Sequence, residues 1–151
     1  MQGKVEEIVP VFMENDFGEI MNLWLKSNME AHSFISKDYW LFRFEEVKCM
    51  LPQAELFVWR EEGKILGFLG LMRDYVAGIF VDGNHRSQKI GKNLLDYVKK
   101  NRKVLSLHVY EKNEAALRFY KREGFLICER QVDEETGEKE YLMKWTKEEE
   151  K

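Results

Sequence analysis

At 151 residues, with a formal charge of −3 and two cysteines, the chain suits one domain with a real core, burying roughly 70% of the surface its unfolded form exposes. The mildly acidic balance and the lack of an arginine-rich face argue against nucleic acid, and the longest apolar run, Ile65 to Met72, is too short to span a bilayer. Met1 to Glu7 is polar, unlike a secretory leader, and Cys49 and Cys128 lack CxxC spacing, so buried free thiols in a reducing cytoplasm are expected.

Val5 to Phe12 is β-branched and contains Pro10, the composition of an edge strand. Asp16 with Glu19 three residues on reads as a capping box. It opens an amphipathic helix with Phe17, Ile20, Met21, Trp24 and Leu25 on its apolar face. The pattern stops at Ser27, and Ser27 to Ser36 is expected as a loop. A second helix covers 37–51, with Trp40, Phe44, Val47 and Leu51 on one face, and ends at Pro52.

Strands Ala54–Arg60 and Ile65–Arg73 follow, joined by the hairpin turn Glu61-Glu62-Gly63-Lys64. Tyr75–Val81 is the next strand. Its Gly78 marks either a bulge or a packing constraint. Then come helix Ile90–Asn101, strand Val104–Tyr110, and a helix capped by Asn113 and stopped at Gly124. Strands Phe125–Val132 and Glu140–Trp145 close the chain, and the charged tail 146–151 should fray.

Strand Tyr75–Val81, helix, strand Val104–Tyr110 is a βαβ unit, so these two strands should be parallel with a right-handed crossover. Short turns make the earlier strands antiparallel. The expected class is α/β: a mixed sheet with helices on both faces.

The most informative stretch is Tyr75 to Lys100. An apolar strand runs through a polar loop into a helix at Gly91. Unpaired N–H groups and the helix dipole make such a junction an anion site, and Arg86, Lys89 and Lys92 add positive charge. A phosphate or pyrophosphate is the natural ligand. The P-loop pattern fails, because Asn93 follows Gly91-Lys92 and Arg86 stands where the first glycine belongs. The dinucleotide fingerprint is absent too.

What remains resembles the GNAT superfamily of acetyl-CoA-dependent N-acetyltransferases. Its pyrophosphate loop, Gln/Arg-x-x-Gly-x-Gly/Ala, corresponds to Arg86-Ser87-Gln88-Lys89-Ile90-Gly91, with Lys89 in place of the first glycine. Asn113 to Phe125, ending in Phe119-Tyr120-x-x-x-Gly124-Phe125, matches a second segment. Ala31–Ile35 and the Trp40 region resemble the small bacterial YiaC/YjaB-like subgroup. The resemblance implies a seven-stranded GNAT fold with four helices and a splayed central pair of parallel strands. Lys89 is expected to keep ordinary backbone angles, since the loop retains its N–H groups and Gly91.

The same resemblance implies acetyl-CoA as cosubstrate. Ile79, Phe80 and Val81 would present backbone groups to the pantetheine arm, and the amides of Gln88 to Lys92 would hold the pyrophosphate. Asn113 would contact the cosubstrate as well as cap its helix. Tyr120 matches the family's tyrosine donor to the leaving thiolate, which a phenol with pKa about 10 can protonate. The base is His108, on the strand beside the cleft, or His32, in the loop over the acceptor entrance. His32, Phe34, Trp40 and Tyr141 are the candidate acceptor-side residues, and the acidic run Asp133–Glu135 is a candidate attractor of cations. Three scattered histidines and two cysteines lack ligand spacing, so no metal is expected.

The expected activity is direct acetyl transfer to a primary amine, on a protein lysine or a small molecule. A protein N-terminus, a polyamine or an aminoglycoside is the alternative acceptor. A CoA-binding sensor without turnover is the alternative of another class. A monomer or homodimer is expected, with no membrane or nucleic-acid partner.

Overall fold

The structure is a computed structural model describing residues 4–8 and 14–148. The elements are β1 (Lys4–Ile8), α1 (Glu14–Ala31), α2 (Lys37–Met50), β2 (Glu55–Glu61), β3 (Lys64–Met72), β4 (Tyr75–Val81), α3 (Ile90–Lys99), β5 (Val104–Tyr110), α4 (Glu114–Arg122), β6 (Leu126–Val132) and β7 (Lys139–Thr146). They form a seven-stranded sheet in the order β1-β2-β3-β4-β5-β7-β6. Only β4 and β5 pair in parallel among the described strands.

Two apolar layers sandwich the sheet. On one face, Leu94, Leu95 and Val98 of α3 and Tyr120 of α4 pack with Leu105, Leu107, Val109 and Met143. On the other, Ile20, Met21 and Trp24 of α1 and Trp40 of α2 pack with Leu56, Val58 and Phe68. β3 lies between both layers and is buried from Ile65 to Leu71, which explains its unbroken apolar run.

Four expectations need correction. First, α1 runs through Ser27–Ala31. Ser27 and Asn28 interrupt the apolar pattern yet are buried, and Asn28 satisfies its side chain by donating from Nδ2 to the Trp24 carbonyl at 3.0 Å. Second, no capping box forms, because Asp16 and Glu19 lie inside the helix. Asp16 instead accepts two bonds from Arg60, at 3.2 and 3.0 Å, and Glu19 accepts from the Ile65 amide at 3.0 Å. Both carboxylates tie α1 to the β2–β3 hairpin.

Third, both cysteines are free but exposed: Cys49 is on the outer side of α2, and Cys128 is in β6, an edge strand exposed along its whole length. Fourth, β7 extends to Thr146, and the Lys147 amide donates to the Lys103 carbonyl at 2.8 Å, so the tail is anchored further along than its charge suggests. The first strand's later positions, Pro10 and Phe12 among them, fall outside the described residues.

The feature that positions everything else is the β4–β5 junction. β4 is paired with β3 along its length, and β5 with β7 from Val104 to Tyr110. Between them there is one rung, Tyr75 with Ser106, closed by the Ser106 amide donating to the Asp74 carbonyl at 2.9 Å. Beyond it the strands part.

A bulge lies next to the parting point. Gly70 pairs with Gly78 and Leu71 with Val76, so Ala77 is the extra residue. Bulges bend a strand and sharpen its twist. Gly78 serves packing beside that bulge, since a Cβ there would lie 2.4 Å from the Phe80 ring. The bulge therefore falls on Ala77, one residue before Gly78, and it is the packing reading of Gly78 that holds.

Candidate active site

The Asp82 amide donates to the Leu66 carbonyl at 2.8 Å, which fixes the exit from β4. Asp82 then caps the 3-10 turn Gly83–Gln88, its carboxylate accepting from the Asn84 amide at 2.9 Å. That bond holds the Asp82 carboxyl below the usual carboxylate range. α3 begins at Ile90, and its first intrahelical bond runs from the Asn93 amide to the Lys89 carbonyl at 3.0 Å. The amides of Ile90, Gly91 and Lys92 therefore have no partner inside the helix.

Gly67 of β3 sets how close this helix start comes to the sheet. A Cβ at Gly67 would lie 2.7 Å from Ile90 Cγ2 and 3.3 Å from the Phe80 carbonyl oxygen. Only a residue without a side chain lets Ile90 sink into the core there, and Ile90 is fully buried.

Lys89 does not keep ordinary angles. Its φ is +60° and its ψ 25°, the left-handed region, so the position still has the geometry that favours glycine. A side chain there costs about 1 kcal/mol. Lys89→Gly is accordingly expected to raise stability by no more than about 0.6 kcal/mol, since the extra freedom of glycine in the unfolded chain, about 0.4–1 kcal/mol, offsets most of the relieved strain. Urea unfolding of the two proteins checks this.

A cavity of about 1290 Å³ connects the helix start to the parted strands. Lys89, Gly91 and Lys92 line one end. Ile79, Phe80 and Val81 form one wall, and Ala116, Phe119 and Tyr120 of α4 the other. The far end opens on the α1/α2 face at His32, Trp40, Tyr110 and His108. Gln88 is exposed and does not line the cavity; the side chains of Arg86 and Ser87 are not among the described ones. Lys92 is engaged by Asp96 and Glu123, both at 3.2 Å.

Asn113 caps α4 as expected, its Oδ1 accepting from the Ala116 amide at 3.3 Å. Its Nδ2 meets His32 Nε2 at 3.2 Å, a link between α4 and the α1–α2 loop that spacing alone does not suggest. Tyr120 is buried against Phe119 and Phe125, with ring centroids at 5.2 and 5.5 Å. Burial raises its pKa, as does the nearby Tyr75, so it is a phenol at neutral pH.

His32 stacks on Trp40 at 5.3 Å and meets the edges of Tyr110 and Phe34. Burial lowers its pKa from 6.5 to about 4, against a smaller opposing effect of the Asn28 backbone. The unfolded chain binds this proton first, so stability is complete above pH 6.5 and falls as pH drops toward 4. The expected loss is roughly 2 to 3 kcal/mol. Urea unfolding at pH 7.5 and 4.5 measures it, and His32→Gln should remove most of the difference.

Not every expected residue reaches the cavity. Tyr141 faces the α4-side core, because the alternation of β7 points Glu140 and Leu142 to the α1/α2 face and Tyr141 away from it. Phe34 packs behind His32 with the Lys112 ammonium 5.6 Å over its ring. The acidic run is already engaged: Tyr110 donates to Asp133 at 2.6 Å, and Tyr39 and Arg43 both donate to Glu135 at 2.8 Å. These bonds fasten α2 and β5 to the β6–β7 turn.

His108 lies on the α1/α2 face of β5, with Nδ1 2.8 Å from the Tyr75 hydroxyl. Tyr75 and Glu140, which also line the cavity, are residues that the sequence reading missed. Nothing in the local pattern marks them, since Tyr75 reads as the first residue of a strand and Glu140 as a solvated edge position.

A strand pair parted after one rung, with a bare helix start at its mouth and a phenol in its wall, defines an acyl-CoA-type transferase fold. The profile of the Acetyltransferase (GNAT) family matches residues 17–125. The chain belongs to this family and is an N-acetyltransferase.

It is 37% identical over 128 residues to the peptidyl-lysine N-acetyltransferase YiaC of Escherichia coli, covering 83% of this chain and 88% of that one. Identity to the peptidyl-lysine N-acetyltransferase YjaB of the same organism is 29% over 120 residues, covering 79% and 82%. The solution structure of apo YjaB superimposes with a TM-score of 0.82 at 25% identity, covering 96% of this chain and 98% of that one. The fold is also shared with the PaiA N-acetyltransferase of Thermoplasma acidophilum, solved with coenzyme A, at a TM-score of 0.79 and 17% identity, with 97% and 100% covered.

Proposed function

We propose that this protein transfers the acetyl group of acetyl-CoA to the ε-amine of a lysine in a protein or peptide, by direct attack within a ternary complex. The observation that carries the reading is the single β4–β5 rung. It leaves the β5-facing edge of β4 without a strand partner, and an extended pantetheine arm takes that place as a pseudo-strand. The names of the similar bacterial enzymes support a peptidyl-lysine acceptor.

In this reading Ile79, Phe80 and Val81 hold the pantetheine through their backbones, and the amides of Ile90, Gly91 and Lys92 receive the diphosphate. Lys89, on the cavity rim, supplies positive charge. The acceptor enters from the α1/α2 face past Trp40 and Tyr110. A lysine ammonium must lose a proton before it attacks, since its pKa is ~10.4. His108 takes the proton released as the N–C bond forms. His32 does not serve as the base, because Asn113 engages its Nε2 and burial disfavours its charged form. The oxyanion is held by a backbone N–H of β4, at Phe80 or Val81. Tyr120 gives its proton to the departing thiolate.

The test is free-thiol release with mass spectrometry on four acceptor sets: lysine peptides with blocked N-termini, peptides with only a free N-terminus, polyamines and aminoglycosides. Acetylation of the blocked peptides on lysine is expected. Preferred turnover of another set would move the acceptor class. Thermal stabilisation by acetyl-CoA without CoA release from any set would favour the sensor.

A further inference from the structure

Each transfer takes one proton from the amine and delivers one to the leaving sulfur, and the two groups that handle them come from opposite faces of the sheet. Leu107 and Val109 of β5 point into the α4-side core, so His108 between them faces α1 and α2. Tyr120 comes from α4. Tyr75 stands beside His108, at the β4–β5 rung, and lines the same cavity as both groups. Its hydroxyl is 2.8 Å from His108 Nδ1. It is half-buried, and burial together with Glu140 raises its pKa, so it stays protonated at neutral pH.

We propose that Tyr75 is a positioning residue for proton transfer: its hydroxyl holds His108 Nδ1 at the closed end of the strand gap, which fixes the tautomer and orientation that leave Nε2 free for the amine proton. The proposal rests on the roles assigned above to His108 and Tyr120. The amine nitrogen bonds to the thioester carbon and releases a proton to His108 Nε2, while Nδ1–H donates to the Tyr75 oxygen. The C–S bond breaks, its electron pair goes to sulfur, and sulfur takes the Tyr120 proton. Water in the cavity then takes the proton from His108 Nε2 and returns one to Tyr120. His108 Nδ1 keeps its proton and its bond to Tyr75 throughout, so each side chain regains its starting protonation and tautomer, and one proton has in effect passed from nitrogen to sulfur with water as the carrier.

The experiment uses Tyr75→Phe, which deletes only the hydroxyl, with His108→Gln and the double variant. Steady-state kinetics with acetyl-CoA and a lysine peptide are combined with ¹⁵N NMR of the His108 ring. Tyr75→Phe is expected to lower kcat about tenfold or more, to leave the acetyl-CoA KM within about twofold, and to move the His108 Nδ1 resonance. The double variant should lose no more than the worse single variant, because both act in one pathway. Wild-type kcat in Tyr75→Phe beside a lowered kcat in His108→Gln overturns the role of Tyr75 and keeps His108 as base. Wild-type kcat in His108→Gln overturns the positioning role together with the base assignment. Multiplying losses in the double variant, or an unmoved His108 resonance in Tyr75→Phe, also overturn the proposal.

Discussion

Tyr120→Phe is expected to reduce kcat by about 10²–10³-fold and to leave the affinity for acetyl-CoA within roughly threefold of the parent. Tyr120 is buried in the wall of the parted strands, beside Phe119 and Phe125, so its ring contributes packing that phenylalanine retains. Only the hydroxyl is lost, and in the proposed reaction it matters when the C–S bond breaks. Burial keeps it protonated, the state a donor needs. The loss should therefore fall on turnover and not on binding. Steady-state kinetics with calorimetric titration of acetyl-CoA separate the two quantities. Undiminished kcat would remove Tyr120 from the donor role.

Gly91→Leu should weaken acetyl-CoA binding at least about 100-fold, a change of roughly 2.7 kcal/mol, without unfolding the protein. A Cβ at Gly91 would lie 3.6 Å from Phe119 Cζ, 3.7 Å from Ile79 Cγ2 and 3.8 Å from Val81 Cγ2. Those are ordinary contacts, so Gly91→Ala should bind nearly as well as the parent. The further carbons of leucine have no room between helix and strand and must extend into the cavity, across the amides proposed to receive the diphosphate. The position is at the cavity rim and not in the core, so the cost in stability should stay at the low end of the ~1–3 kcal/mol seen for overpacking. Calorimetric titration and thermal unfolding of both variants check this. Normal affinity in Gly91→Leu would mean that the phosphates bind elsewhere.

The two variants probe parts of the site with different legibility in the chain. Gly91 and Tyr120 sit in motifs whose spacing follows local geometry: a strand entering a helix, and a capped helix ending at Gly124. Local rules also located β4 and β5 to the residue, because alternating apolar positions bounded by turn residues leave little freedom. They failed where a polar side chain met a distant partner. Ser27 and Asn28 looked like the end of a helix and are buried within one. Asp16 and Glu19 looked like a cap and are tertiary ties. Tyr141 looked like a pocket residue and faces the other layer.

By itself, then, the amino-acid order determined the strand and helix sequence, the βαβ unit, the bare helix start at Gly91 and the family resemblance, since each depends on neighbours within a few turns of chain. Tertiary structure alone decided how far β4 and β5 part, the left-handed backbone of Lys89, and the meetings of Tyr75 with His108 and of Asn113 with His32. These depend on twist accumulated across the sheet, on the seating of Ile90 against Gly67, and on hydrogen bonds between residues far apart in the chain, none of which leaves a period or a spacing to be read.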